Sequence, residues 1–181
     1  MTERCQLKPI SDQDYESIKR LYMNEEVRKY LGGTVDEVSF MIRFQMMLDS
    51  AHYWTVSLKE TKEFIGLVFL DYCHNRIDTE IGFQFLPAFW GKGYATEAVE
   101  KVVEYGLYTL YLPVIAAETH TNNERSCKLL KRVGMKFEKT LERFGKQQSI
   151  FSVEPSAALN KKWVWHQNTN DTTNFSGLTI N

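Results

Sequence analysis

The chain has little cysteine, with only Cys5, Cys73 and Cys127 among 181 residues. These residues are far apart, and none belongs to a C-x-x-C pair of the kind that zinc sites and redox motifs use. Their odd number and wide separation also do not suggest a disulfide framework. We therefore expect a protein of a reducing compartment that has no metal site.

An excess of charge is absent as well, because 22 basic side chains stand against 23 acidic ones and the net charge is −1. This balance, with no concentrated basic stripe, argues against a nucleic-acid-binding module. The most prominent apolar run, Phe64–Leu70, is far shorter than the roughly 20 residues of a membrane helix, and it predicts a buried strand. The first residues lack a basic segment followed by an apolar one, so we expect no secretory signal and a cytoplasmic location. Neither nucleic acid nor a membrane is therefore an expected partner.

Length and composition fit one compact domain. Hydrophobic residues make up 43% and charged residues 25% of the chain, which is close to the globular average, and a chain of this length can bury a substantial core. We predict a single domain over residues 1–165. The polar residues 166–181 have the composition of a tail that cannot bury enough surface to order itself.

Hydrophobic periodicity predicts a mixed order of helices and strands. In the first half, the predicted elements are a strand ending near Ile10, helices that begin at Ser11 and Thr34, a hairpin of strands Tyr53–Leu58 and Phe64–Tyr72, and an alternating, half-buried strand over Ile77–Phe85. In the second half, they are a helix over Ala95–Tyr105, a strand over Val114–Ala117, a helix capped by Asn123 that ends at Gly134, and a strand at Met135–Phe137.

A glycine-bearing turn, Trp90–Gly93, carries the first functional signal, because it leads from the alternating strand into a helix that opens with small Ala95 and Thr96. The first N–H groups of a helix have no internal partner, and the helix dipole favours an anion there. Two glycines let a phosphate approach the backbone closely, and Lys92 adds a positive charge at the rim. The alternative is an ordinary glycine turn, since short glycine motifs often match by chance.

Two established nucleotide-binding motifs do not fit this turn. A Walker loop requires lysine after its second glycine, whereas Gly93 is followed by Tyr94. A Rossmann fingerprint requires a third small residue where Thr96 stands, and it opens a βαβ unit, whereas this turn follows a meander of strands.

Two separated motifs, together with the order of elements, resemble the GNAT acyltransferase superfamily; they are Phe83–Ala98 and the pair Asn123–Ser126 with Leu129–Met135. Within it, the chain is most similar to the Rim-type ribosomal-protein N-terminal acetyltransferases. The resemblance extends over residues 4–155. It implies an α+β fold with a central, mostly antiparallel twisted sheet, a splayed parallel strand pair at the acetyl-CoA site, and helices on both faces.

The resemblance implies an acetyl-CoA site whose phosphates are held by backbone N–H groups. The family's pyrophosphate loop falls on Trp90–Ala95. The expected ligands are the backbone groups of Gly91, Lys92, Gly93, Tyr94, Ala95 and Thr96. Trp90 departs from the glutamine or arginine that is usual in the family, which removes the polar role of that side chain.

The resemblance also implies that pantetheine pairs as an added strand along Ile81–Phe85, so Phe83 and Phe85 are expected contacts. The backbone N–H near Phe83 is the expected donor to the thioester oxygen. Asn123 matches the family's asparagine near the pantetheine arm, and it equally fits a helix N-cap.

The implied reaction is direct attack of a neutral amine on the thioester, which needs a base and a proton donor for the leaving thiolate. Glu80 matches a family glutamate that acts through water and is the expected base; the alternative is a solvent-facing strand carboxylate. Leu130 stands where many relatives have a tyrosine acid. Ser126 is therefore the expected donor, with Cys127 and His120 as alternatives.

These observations predict an acetyl-CoA-dependent N-acetyltransferase, monomeric or homodimeric, that acts on a protein N-terminus or a small amine. One alternative is the use of another acyl-CoA, such as succinyl-CoA, on the same fold. The other is a non-catalytic CoA-binding or regulatory domain, which the missing tyrosine leaves open. In the family the helices before the hairpin line the acceptor pocket, so Tyr30, Phe44 and Met47 are expected to shape specificity.

Overall fold

The computed structural model describes residues 2–73 and 78–156. Ile77 of the predicted alternating strand, the end of the predicted domain and the predicted tail at 166–181 lie outside these residues. In chain order, the first elements are strand β1 (Cys5–Pro9), helices α1 (Tyr15–Tyr22), α2 (Glu25–Arg28) and α3 (Glu37–Leu48), and strands β2 (Tyr53–Leu58), β3 (Phe64–Tyr72) and β4 (Thr79–Phe85). They are followed by helix α4 (Tyr94–Tyr108), strand β5 (Ile115–His120), helix α5 (Glu124–Arg132) and strands β6 (Lys136–Arg143) and β7 (Lys146–Val153).

The strands form one seven-stranded sheet in the order β1-β2-β3-β4-β5-β7-β6. Every neighbouring pair is antiparallel except β4 and β5, which are parallel. This arrangement confirms the predicted fold class, a mixed α+β fold with a mostly antiparallel sheet, and among the residues described here it contains one parallel pair. Within the described ranges, no helix is long and apolar enough to cross a membrane.

Helices cover both faces of the sheet. Alternate residues of a strand point to opposite faces, so a strand can contribute apolar side chains to a core on each side. On one face, Val68 and Ile81 belong to a large core cluster that also contains buried residues of α4. On the other face, Leu67 packs in a second cluster with Phe40 of α3 and residues of α1. The sheet is therefore a middle layer with a core on each side.

Helix starts follow local capping residues. Asp36 Oδ1 accepts the Ser39 N–H at 3.0 Å, so α3 begins at Glu37 and not at Thr34 as predicted. Ser11 opens a short 3-10 turn, with its N–H donating to Asp14 Oδ2 at 2.8 Å, and α1 begins only at Tyr15. Side chains that accept backbone N–H groups thus decide where these helices begin.

Three features differ from the sequence prediction. The four-residue helix α2, capped by Asn24, and the last strand β7 were not predicted. Strand β4 was predicted to be half-buried, but Gln84 on its polar face is only 6% exposed. Helices α1 and α3 cover that face of the sheet. The alternation of polar and apolar residues along one strand does not reveal such a cover.

Candidate active site

The sheet splits between its two parallel strands. Strands β4 and β5 pair only at Thr79 with Ile115 and at Glu80 with Ala116. Both strands continue beyond these pairs without pairing to each other, while β4 stays paired to β3 and β5 to β7. Residues Ile81–Phe85 therefore present a backbone edge along an opening, and an extended ligand can pair with such an edge.

A cavity of about 1380 Å³ fills this opening and extends to helices α2 and α3. It exceeds the roughly 300–1,000 Å³ that is usual for a single small-molecule pocket. Its walls come from the split strands, from the glycine turn with the start of α4, from the start of α5, and from α2 and α3. The cavity has room for two substrates that meet at the split.

The glycine turn and the start of α4 form one end of the cavity. Gly91 and Gly93 have φ values of 75° and 84°, in the left-handed region that favours glycine. Gly93 is the N-cap of α4 and offers no side chain, so the first N–H groups of the helix are not capped by one. Ala95 and Thr96, in that first turn, line the cavity. The arrangement provides an anion site made of backbone donors.

Aromatic and cationic contacts hold this turn in place. The Trp90 Nε1–H donates to the Phe85 carbonyl at 2.7 Å, which ties the turn to the end of β4. The guanidinium of Arg125 lies 4.8 Å from the Trp90 ring centroid and lines the cavity. Sequence analysis missed Arg125 as a site residue, although it lies within the motif Asn123–Ser126. A positive charge beside the anion site is therefore contributed by α5.

Two predicted ligand residues have side chains that point elsewhere. The Lys92 ammonium lies 5.7 Å from the Phe89 ring, and the Tyr94 ring lies under the guanidinium of Arg4 at 4.6 Å. Neither residue lines the cavity, whereas Gly91 and Gly93 do. The Lys92 ammonium thus lies near Phe89, which does line the cavity, and its positive charge at the rim stays a prediction.

Glu80 lies where the sheet splits, because it is the last residue of β4 that pairs with β5. It is partly buried, lines the cavity, and its Oε1 accepts the Glu118 N–H of β5 at 3.2 Å. Burial raises the pKa of Glu80 to about 7; the charges of Glu118 and Asp71 add to this effect, while the Glu118 N–H and Arg143 oppose it. A carboxyl group with this pKa exchanges protons readily at neutral pH, as a general base must.

The start of α5 brings two predicted residues to the same cavity. Asn123 Oδ1 accepts the Ser126 N–H at 3.3 Å, so Asn123 is an N-cap, and both residues line the cavity. Leu130, at the position where relatives have a tyrosine, is buried. The hydroxyl of Ser126 is thus one of the polar groups that α5 offers at this wall, and it lies beside Asn123.

The two alternative donors are placed less favourably. Burial raises the pKa of the Cys127 thiol, and its Sγ lies 4.0 Å from the Thr121 carbonyl oxygen. The His120 ring packs against Tyr30 at 5.1 Å, and its Nδ1 accepts the Asn122 N–H. Neither Cys127 nor His120 belongs to the cavity wall.

The face of β3 and β4 that points toward α3 adds residues that sequence analysis did not find. Asp71 lies opposite Glu80 in the antiparallel register, so both side chains project from one face. The Tyr53 hydroxyl donates to Asp71 Oδ2 at 2.6 Å, and the Tyr53 ring stacks on Phe69 at 4.7 Å. Phe69 covers Gly82, where an added Cβ would lie 2.0 Å from Phe69 Cζ. Only the strand register could have pointed to these residues.

The predicted specificity residues divide into two groups. Tyr30 and Met47 line the cavity. Phe44 is instead buried against Tyr15 and Phe40, so it supports α3 and does not reach the cavity. Within residues 2–73 and 78–156, no group of three His, Cys, Asp or Glu side chains is arranged to hold a metal ion.

Comparison with known proteins gives a consistent family match. Residues 4–136 match the family model described as an acetyltransferase (GNAT) domain. The uncharacterized N-acetyltransferase YoaA of Bacillus subtilis (strain 168) is 33% identical over 151 residues, which cover 79% of this chain and 85% of that protein.

Two solved structures share the fold. Spermidine N-acetyltransferase from Vibrio cholerae, in complex with CoA and spermine, has a TM-score of 0.71 at 21% identity and covers 83% of this chain and 95% of its own. The ribosomal-protein-S5-alanine acetyltransferase from Vibrio fischeri has a TM-score of 0.70 at 17% identity, with coverages of 87% and 96%. At these identities the likeness concerns the fold alone.

Proposed function

This chain belongs to the GNAT acetyltransferase family and is an N-acetyltransferase, and we propose that it binds acetyl-CoA in the split between β4 and β5 and acetylates a primary amine. One observation carries the proposal: β4 and β5, the only parallel strand pair among the described residues, open directly after Glu80, and the opening leads to the uncapped start of α4. An unpaired strand edge suits the amide groups of pantetheine, and free helix N–H groups suit its phosphates.

The donor supplies an acetyl group as a thioester, and the residues at the split bind and orient it. Backbone groups of Ile81–Phe85 pair with the extended arm, and those of Gly91, Gly93, Ala95 and Thr96 face the phosphates. Arg125 adds a positive charge to this end of the cavity. Asn123 holds the start of α5 beside the arm through its bond to the Ser126 N–H.

Glu80 then takes a proton from the amine, directly or through one water molecule. An amine attacks only in its neutral form, and a carboxyl group with a pKa of about 7 accepts protons at neutral pH. The backbone N–H near Phe83 stabilises negative charge on the thioester oxygen while the new C–N bond forms. As the C–S bond breaks, the Ser126 hydroxyl gives its proton to the leaving sulfur and regains one from the attacking nitrogen. Proton transfer is thus assigned to two side chains on opposite walls of the split.

The acceptor enters from the side of α2 and α3, because the cavity extends there from Glu80. A peptide N-terminus and a small amine both fit this description, since one of the two solved structures is a ribosomal-protein acetyltransferase and the other is a spermidine acetyltransferase. Membership of the Rim-type branch remains a prediction, since the structure from that branch is only 17% identical.

The test is acetyl transfer by the purified protein. Acetyl-CoA is mixed with a panel of small amines and peptides with free N-termini, thiol release is followed over time, and mass spectrometry identifies the acetylated product. We expect release that depends on the amine and a product heavier by one acetyl group. If the protein binds acetyl-CoA but acetylates no amine of the panel, the proposal is contradicted.

A further inference from the structure

We propose that the acceptor amine also carries an anionic group, and that Arg28 and Arg43 bind this group in the part of the cavity formed by α2 and α3. The inference rests on the proposed function, because it concerns the second substrate of the same site. It is carried by two guanidinium groups that lack an anionic partner and by an unpaired oxygen in the same cavity.

Arg28, at the end of α2, is a buried positive charge. Only 8% of the residue is exposed, yet it lines the cavity. Its Nε and Nη2 groups donate to the carbonyl oxygens of Gly33 and Leu31 at 2.9 and 2.6 Å, and its guanidinium lies 5.0 Å from the Tyr22 ring. These partners are neutral, and among the described residues no carboxylate forms an ion pair with Arg28. Buried charges are normally compensated by an opposite charge.

Arg43, on α3, brings a second positive charge to the same wall. Burial acts to lower the pKa of Arg28, Tyr22 opposes this effect, and the nearby charge of Arg43 adds to it. Within residues 2–73 and 78–156, Arg43 also has no carboxylate within ion-pair distance. Two guanidinium groups that repel each other beside an open cavity would be stabilised by a bound anion. Glu26 and Lys29, which line the cavity from α2, compensate each other in charge.

Two carboxylates that line the same cavity suit the amine end. Asp71 and Glu80 project there from facing positions of β3 and β4. Gln84 lies on the same face of β4, is 6% exposed, and its Oε1 has no hydrogen-bond partner among the described residues. Its side chain also acts to lower the pKa of Tyr22, against the larger effect of burial, and the Tyr22 ring lies next to the guanidinium of Arg28. Because the oxygen is buried, an N–H group of the acceptor would reach it only after the Gln84 side chain turns toward the cavity; the cost of a buried unsatisfied acceptor favours that turn.

The charges that line the cavity therefore match an acceptor that carries both an ammonium group and an anionic group. A free amino acid has this chemistry, and so does a peptide N-terminus followed by an acidic side chain. A polyamine does not, because its second ammonium group would lie against Arg28 and Arg43.

The test compares acceptors that differ only in the anionic group, with acetyl-CoA at saturation. One pair is β-alanine and β-alaninamide, the other is alanyl-aspartyl-alanine amide and alanyl-asparaginyl-alanine amide, and spermidine is added as a dication. In at least one pair we expect kcat/KM for the acidic member to exceed that of the neutral member by about tenfold. The pair with the larger ratio identifies a free acid or a peptide as the source of the anion.

The variant Arg43→Gln should reduce this ratio to near one. Arg20→Gln is the matched control, because Arg20 is an exposed arginine on α1 that does not line the cavity, and it should keep the ratio. Equal or better use of the neutral members, preference for spermidine, or an unchanged ratio in Arg43→Gln would overturn the inference and leave the acetyltransferase proposal intact. If no amine at all is acetylated while acetyl-CoA binds, the proposed function fails, and the inference that rests on it fails too.

Discussion

At the scale of single residues, the position of Glu80 explains its chemistry. It occupies the last paired position before β4 and β5 separate, where the Glu118 N–H reaches its carboxylate. The family resemblance suggested Glu80 as the base, and Glu80 lines the cavity together with Asn123 and Ser126. Its raised pKa depends on burial by residues far away in the chain, so sequence analysis could not foresee it.

The protonation of Glu80 makes a prediction about pH. A base whose pKa is raised to about 7 is protonated at lower pH, so kcat/KM should rise as the pH increases through about 7. Glu80→Gln should lower kcat at pH 7 by about 100-fold, lose this inflection, and recover partly at higher pH as the amine deprotonates without help. Steady-state rates between pH 5.5 and 9.5 check this. An unchanged rate and pH profile in Glu80→Gln would remove Glu80 from the reaction.

Gly82 makes a second prediction at this scale. A Cβ at this position would lie 2.0 Å from Phe69 Cζ, so Gly82→Ala must displace the Phe69 ring and disturb its stacking on Tyr53. We expect a loss of about 1–3 kcal/mol in the free energy of unfolding. Denaturant titration measures this loss, and the added change Phe69→Leu, which shortens the colliding side chain, should restore part of it. A Gly82→Ala protein as stable as the wild type would show that Phe69 does not need this space.

At the scale of elements, helix starts were predictable and distant contacts were not. Ser11, Asp36 and Asn123 are polar residues that precede helical periodicity, so most helices were found to within a few residues. The helix α2 was missed because it has only four residues and depends on the Asn24 cap. Strand β7 was missed because its exposed residues are polar and its partners, β5 and β6, are set by pairing across the sheet.

The attachment of β1 to α4 is another element-scale contact without a sequence signal. Glu97, in the first turn of α4, accepts the backbone N–H groups of Arg4 and Cys5 at 2.7 and 3.0 Å and pairs with the Arg4 guanidinium at 3.1 Å. Burial acts to raise the pKa of Glu97, but these donors together lower it below its usual value. The contact therefore fixes the start of α4, where the phosphates are proposed to bind, against the edge of the sheet.

This contact predicts how stability depends on acid. Because the pKa of Glu97 is lowered in the folded protein, its contribution is present above the unfolded pKa and is lost as the pH falls through the folded value. At pH 7, Glu97→Gln should lower the free energy of unfolding by about 1 kcal/mol, and this difference should shrink toward pH 3. Thermal unfolding at several pH values measures it, with Glu60→Gln in the exposed β2–β3 turn as the control. A difference that is constant with pH would contradict this role.

At the scale of the whole molecule, the order of the strands creates the site. Strand β4 is held by β3 along its length, and β5 is held by β7 in the same way, so the two parallel strands can separate without losing their other partners. Strand β7 lies between β5 and β6 although it follows both in sequence. The family resemblance predicted the split pair, but periodicity alone could not, because the split depends on which strands are neighbours.

The acceptor side shows the same limit. Asp71, Arg28 and Arg43 lie on three different elements and carry no motif, so only the folded chain brings them to one cavity. The donor side was easier to predict, because the glycine turn and the start of α4 are continuous in sequence. Local motifs thus identified the candidate donor site, and tertiary structure was needed for the acceptor site.

The central claim is that the split sheet and the uncapped start of α4 bind acetyl-CoA, and isothermal titration of acetyl-CoA into matched Thr96 variants tests it most directly. Thr96→Glu adds a negative charge in the first turn of α4, which suits the helix dipole but repels a phosphate; Thr96→Gln has nearly the same shape without the charge. We predict that Thr96→Glu weakens binding at least about tenfold relative to Thr96→Gln, with no loss of thermal stability. Equal affinity of the two variants, or no binding to the wild type, would contradict the account.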